Sequence, residues 1–130
     1  MFTSYFGNKK QWSKHSNIVA ISVSTPHYYN GKTFPKLYPT MKLVQSLKLG
    51  HITEEKYKSI YYNTVLKHLN PEETYMELGE DAVLLCWDTP NKFCHRFLVA
   101  EWFKNTINKD IVELPNIHTG QYVFDFEESR

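Results

Sequence analysis

The sequence predicts an α/β fold: a small, largely parallel sheet flanked by helices in a three-layer sandwich, forming a single domain over residues 1–130. Three observations lead there. Ile18–Ser24 and Ala82–Trp87 are almost continuously apolar, as strands buried on both faces of a parallel sheet are. Helical patterns lie between and after them, so the order strand, helices, strand, helix, strand calls for crossover connections. A length of 130 residues leaves room for one hydrophobic core and not for two.

Taken in order, Met1–Tyr5 reads as a short edge strand and Asn8–Asn17 as a polar loop or short helix. Ile18–Ser24 is the first buried strand, and Thr25-Pro26 stops it. Pro26–Thr40 is a long loop, because its prolines and Gly31 forbid a helix. Loops of this length are usually functional or disordered. Its four rings, Tyr28, Tyr29, Phe34 and Tyr38, argue for packing over something.

Thr40–Leu49 is a short helix ended by Gly50. Thr53–Leu69 is the clearest helix: Thr53 suits the N-cap, and Glu54 and Glu55 sit where the macrodipole favours anions. Tyr57, Ile60, Tyr61, Thr64, Val65, His68 and Leu69 recur at steps of three and four and give it one apolar face. Asn70-Pro71 starts a further short helix by the N-cap-plus-proline rule, ending near Gly79. Ala82–Trp87 is the second buried strand and Thr89–Lys92 a turn. Phe93–Ile107 is a helix apolar around most of its circumference, and Ile111–Leu114 a short strand. From about residue 116, alternating Tyr122, Phe124 and Phe126 suggest a peripheral strand or tail.

Composition narrows the function classes. Hydrophobic residues at 42% and charged residues at 22% are ordinary globular usage, which excludes disordered and collagen-like chains. A net charge of +1 supplies no bulk attraction for duplex DNA or an anionic membrane. Two cysteines, Cys86 and Cys94, are too few for a disulfide scaffold or a four-thiolate zinc site. Apolar strings such as Ala82–Cys86 are too short to span a bilayer, and Met1–Asn8 lacks an export pattern. The expectation is therefore a cytoplasmic protein with reduced thiols and no membrane partner. Twenty aromatic residues (3 Trp, 9 Tyr, 8 Phe) place some rings in the core and leave others for a surface or a pocket.

In open α/β sheets, ligands bind beyond the carboxyl ends of the strands. One such end carries Ser22, Ser24 and Thr25, followed by the aromatic loop; the other carries Cys86 and Asp88. The next helix starts at Cys94-His95-Arg96, which returns its N-terminus to the same edge. Free N–H groups there bind anions and favour a thiolate. Arg96 could grip a phosphate with two parallel hydrogen bonds, and His95 could move a proton near neutral pH. The expected catalytic set is Cys94, His95 and Asp88, and the expected ligand contacts are Arg96, Ser24, Thr25, Cys86, Tyr28 and Tyr38, the tyrosines stacking a base. Each has a plainer reading as core, cap or surface residue. No Gly-rich phosphate loop and no Gly-x-Ser-x-Gly elbow is present.

Three functions compete. The first is binding or acting on a phosphorylated small molecule, a nucleotide or a nucleic-acid end, with no cofactor called for; binding to nucleic acid as such is the less favoured form. The second is a non-enzymatic protein-interaction domain whose aromatic loop is the partner surface. The third is a zinc site built from Cys86, Cys94 and His95 with Asp88 or His27, although the spacing fits no standard zinc pattern.

Leu84-Leu85-Cys86, Phe93-Cys94-His95-Arg96 and Leu98-Val99-Ala100-Glu101-Trp102 together resemble the bacterial domain-of-unknown-function family 488. The Ser-x-Ser-Thr-Pro strand end and Tyr38-Pro39 are similar too, and the likeness runs from about Met1 to Leu114. Asp88 stands where such proteins often have Glu, and Phe103 where Leu is common. The resemblance implies a bacterial or phage cytosolic α/β domain and brings no established activity.

Overall fold

Strands β1 (Phe2–Tyr5), β2 (Ile18–Ala20), β3 (Lys32–Thr33), β4 (Val83–Cys86) and β5 (Val112–Glu113) hydrogen-bond into one sheet in the order β3-β2-β4-β1-β5. Every neighbouring pair is parallel, as expected of an α/β fold. The computed structural model describes residues 1–116; the strand or tail expected around Tyr122, Phe124 and Phe126 lies outside them. The helices are α1 (Lys9–Trp12), α2 (Met41–Lys48), α3 (Glu54–Thr64), α4 (Pro71–Leu78) and α5 (His95–Ile107).

The central strand shows why both faces must be covered. All four residues of β4 are buried, and they alternate between two apolar clusters. Leu84 and Cys86 join Val19 and Ile21 on the face covered by α2 to α5, against Tyr57, Tyr61, Leu78, Val99 and Phe103. Val83, Leu85 and Ala20 point the other way, against Phe6, Trp12 and Leu114. The second face has a thin cover: one short helix, the segments around it and Tyr29.

Helix starts follow local chemistry. Thr40, Thr53 and Asn70 each accept a hydrogen bond from the backbone N–H three residues on, which satisfies one orphan donor per helix. Gly79 closes α4 at φ +94°, a conformation that side chains rarely adopt, and Asn108 ends α5 in the left-handed region.

Four expectations change. Met1–Tyr5 is not an edge strand: β1 lies between β4 and β5, and its polar Thr3 and Ser4 are buried. The Pro26–Thr40 loop holds the edge strand β3 and a 3-10 turn over Pro35–Leu37. Exposed Lys32 and Thr33 are strand only through their backbone bonds to β2, so no apolar pattern announces them. Ile18–Ser24 pairs as a strand only to Ala20, although Ile21 and Ser22 stay buried. Thr53–Leu69 breaks at Val65 (φ −121°, ψ −71°) into α3 and a 3-10 turn over Leu66–His68.

Among the described residues, no helix is long and apolar enough to cross a membrane.

Candidate functional site

The chain leaves β2 toward β3 and leaves β4 toward β5, so connections diverge on opposite sides of the β2–β4 pair. That divergence opens a crevice beyond the carboxyl ends of the two strands. A cleft of about 610 Å³ occupies it, within the ordinary range for small-ligand sites. Ser22, Val23 and Ser24 after β2 form one wall, and Cys86, Trp87 and Asp88 from β4 another. The start of α5 closes the back with Phe93, Cys94 and His95. Met41, Val44, Leu47 and Lys48 of α2 and Tyr57 of α3 complete it.

The rim is held by short-range bonds. The indole of Trp87 donates to the Ser24 carbonyl (2.9 Å) and hydroxyl (3.2 Å), which ties the two strand ends together. Ser22 donates its hydroxyl to the same carbonyl at 2.9 Å. Tyr57 meets Phe93 edge-on, with ring centroids 5.2 Å apart. Burial of Tyr57, reinforced by the Asp88 carboxylate, pushes its phenol well above the usual tyrosine range.

At the base of the cleft lie Cys86, Cys94 and His95, all buried. The two cysteines are joined as a disulfide, with Cα atoms 7.7 Å apart, which overturns the expectation of reduced thiols for this structure. Cys94 occupies the N-cap of α5 with extended backbone and no side-chain cap bond, so its sulfur is turned to Cys86 instead. His95 sits with Nε2 2.7 Å from the Ile21 carbonyl oxygen and Nδ1 3.9 Å from the Cys94 sulfur. A carbonyl only accepts, so Nε2 carries the proton and Nδ1 is left with its lone pair. Burial lowers the His95 pKa to about 4, against a raising contribution from the Ile21 bond and with a further lowering from Arg96. His95 is therefore neutral at pH 7.

Arg96 is placed differently from the expectation. Its side chain is fully buried, does not line the cleft, and reaches behind the Cys86–Asp88 wall to β5. Nε and Nη2 donate to the two carboxylate oxygens of Glu113 at 3.0 and 2.9 Å, a bidentate pair. Nη1 donates to the Asp88 carbonyl at 2.7 Å and to the Cys86 sulfur at 3.1 Å. The guanidinium is thus committed inside the protein. It locks β5 to the end of β4 and puts a positive charge beside the Cys86 sulfur. Adjacent helical residues differ by about 100° in direction, which is why His95 faces the cleft and Arg96 does not.

The structure brings Ser24, Cys86, Asp88, Cys94 and His95 to one cleft. Thr25, Tyr28, Tyr38 and Arg96 do not line it. Tyr28 packs instead beneath Lys9, with its hydroxyl on the Phe6 carbonyl. His27 is exposed and meets the Tyr28 ring, and neither it nor Asp88 belongs to the Cys86–Cys94–His95 cluster. Sequence reasoning missed Tyr57, Lys48 and Lys92 as cleft residues. The period-3.6 pattern of α3 marks Tyr57 as buried without showing that it borders a cavity.

Comparison with known protein families, with curated proteins and with solved structures finds no match.

Proposed function

We propose that the protein binds a phosphorylated small molecule of nucleotide size in the cleft beyond β2 and β4, with Cys94, His95 and Asp88 at its reactive end. One observation carries this reading. A single cavity gathers two lysines, the α5 N-terminus, three aromatic residues and the buried Cys94–His95 pair. Lys48 and Lys92 supply the positive charge that Arg96 has committed elsewhere. The first free N–H groups of α5 add oriented donors for the phosphate. The half-exposed Trp87 ring offers a face for a base or sugar, the role the sequence suggested for Tyr28 and Tyr38. In the reduced protein, Cys94 is the nucleophile or a close contact, and Asp88 and His95 are the proton carriers.

The likeness of the Leu84-Leu85-Cys86 and Cys94-His95-Arg96 segments to family 488 supports a bacterial or phage origin as part of the same reading. A cytoplasmic setting belongs to it too, since the chemistry needs free thiols.

Thermal unfolding of the full chain with inorganic phosphate, nucleoside monophosphates and nucleoside diphosphates tests the proposal. A ligand at 100 times its Kd adds about 2.7 kcal/mol, on the order of 10 °C in Tm for a domain of this size. The double variant Lys48→Ala/Lys92→Ala should abolish the shift. No stabilisation by any of these ligands, or an equal shift in the variant, would overturn the reading.

A further inference from the structure

We propose that, in the reduced protein, Cys86 Sγ, Cys94 Sγ and His95 Nδ1 bind one zinc-class divalent cation, with a fourth coordination position open to the cleft. The site does not depend on the ligand proposed above, because all three donors belong to the chain itself; with the cation bound, Cys94 and His95 are its ligands, so the nucleophile and proton-carrier roles proposed above belong to the metal-free reduced form.

Three observations converge on this site. The donor atoms of Cys86, Cys94 and His95 lie within 4.8 Å of one another. A tetrahedral ion with Zn–S bonds of about 2.3 Å and Zn–N bonds of about 2.0 Å sets its ligands roughly 3.5–3.8 Å apart. The Cys94 Sγ to His95 Nδ1 separation, 3.9 Å, is already close to that. The sulfurs must part, and the backbone spacing favours it: their Cα atoms stand 7.7 Å apart, wider than the roughly 4.4–6.8 Å of most disulfides.

His95 is prepared as a ligand. Metal-bound histidines donate their second ring N–H to a carbonyl or carboxylate, which fixes the tautomer and the ring plane. The Nε2–H to Ile21 carbonyl bond of 2.7 Å does this, and Tyr61 packs edge-on against the ring at 5.6 Å. The lone pair of Nδ1 is thereby buried and aimed at the sulfurs. Arg96 Nη1, 3.1 Å from Cys86 Sγ, offsets the charge of a thiolate there.

Three protein ligands with an open position match catalytic zinc sites of the Cys2His type rather than closed structural ones. The open position faces a cavity that also holds Asp88 and Ser24. A bound water or ligand oxygen would complete the coordination.

The chemistry balances as two steps. A thiol reductant opens the disulfide: two reductant thiols give their two electrons and two protons, become one disulfide, and leave Cys86 and Cys94 as thiols. The divalent cation then displaces the two thiol protons to solvent, and His95 loses none.

The test uses the full chain, reduced and freed of metal, titrated with Zn2+ in competition with a chromogenic chelator and separately with Co2+. The expected result is about one equivalent bound per chain, with strong sulfur-to-cobalt charge-transfer absorption, and no binding by the disulfide form. Cys94→Ser and His95→Gln each remove a ligand outright, and should weaken binding by more than the roughly 10–100-fold that loss of an outer-shell partner costs. The proposal falls if reduced wild-type protein takes up no stoichiometric Zn2+, if the Co2+ complex lacks thiolate charge transfer, or if folded His95→Gln binds as tightly as wild type. Where a variant does not fold, the wild-type titration and spectrum decide alone.

Discussion

Removing the Glu113 carboxylate tests whether Arg96 is an internal clamp. Glu113→Ala takes away the two oxygens that hold Arg96 Nε and Nη2 at 3.0 and 2.9 Å. The guanidinium has no exposed surface, so it is left buried with an uncompensated charge. Breaking a buried pair in this way costs roughly 3–5 kcal/mol. The low end applies, about 3 kcal/mol, because Glu113 itself is 21% exposed and the Asp88 carbonyl still accepts from Nη1. Thr3 Oγ1, which donates to the same carboxylate at 2.6 Å, loses its partner for about 1 kcal/mol more. The expected total is about 4 kcal/mol, or roughly 15 °C in Tm at this chain length. Urea and thermal unfolding at pH 7, followed by circular dichroism, measure it. In the cycle with Arg96→Met and Glu113→Leu, the double variant should recover roughly 1–3 kcal/mol relative to the sum of the single losses. A loss below about 1 kcal/mol for Glu113→Ala would refute the reasoning. The pair would then behave as a surface contact, and Arg96 would be free to serve an anion in the cleft as the sequence suggested.

Two glycines with positive φ should respond unequally to alanine. Gly79→Ala adds a Cβ 2.8 Å from Asn17 Nδ2 and 3.0 Å from Asp81 Oδ1 at φ +94°, and should cost about 2–3 kcal/mol by denaturant unfolding. Gly50→Ala at φ +76° meets open space and should cost only about 1 kcal/mol, and equal losses would show that sterics are not the cause. Alkaline stability should follow Tyr29, which burial raises to about 12, and Tyr57, raised further by burial and Asp88. Both are protonated in the fold where the unfolded chain ionises. Their contribution is therefore intact below pH 10 and lost as pH rises through the folded values. Unfolding followed from pH 9 to 12, with phenolate absorbance as a second probe, checks this, and phenols that all titrate near pH 10 in folded protein would contradict it.

Legibility in the sequence tracked the range of the interaction. The caps Thr40, Thr53 and Asn70 act on a backbone N–H three residues away, so their meaning is visible locally. The buried strand β4 announces itself by an unbroken apolar run. Strand β3 announces nothing, because both of its residues are exposed and only pairing with β2 makes them a strand. The polar Thr3 and Ser4 hid the interior position of β1 in the same way; Thr3 is satisfied by Glu113, 110 residues on. Within the site, Cys86, Asp88, Cys94, His95 and Ser24 were legible as residues at strand ends and a helix start. Tyr57, Lys48 and Lys92 reach the cleft through α2, α3 and the turn before α5, whose docking no local pattern encodes.

By itself the sequence determined an α/β chain with two buried strands, capped helices, and two cysteines brought to one edge of a parallel sheet. Periodicity, apolar runs and capping chemistry are short-range properties, and they suffice for that. Only the tertiary structure decided what the Cys-His-Arg segment does. Packing of α5 against the sheet turned Arg96 inward to Glu113, and the Ile21 carbonyl fixed which nitrogen of His95 faces the sulfurs. Those partners lie 17 and 74 residues away in the chain, so the roles of neighbouring side chains were set by the three-dimensional field around them rather than by their spacing.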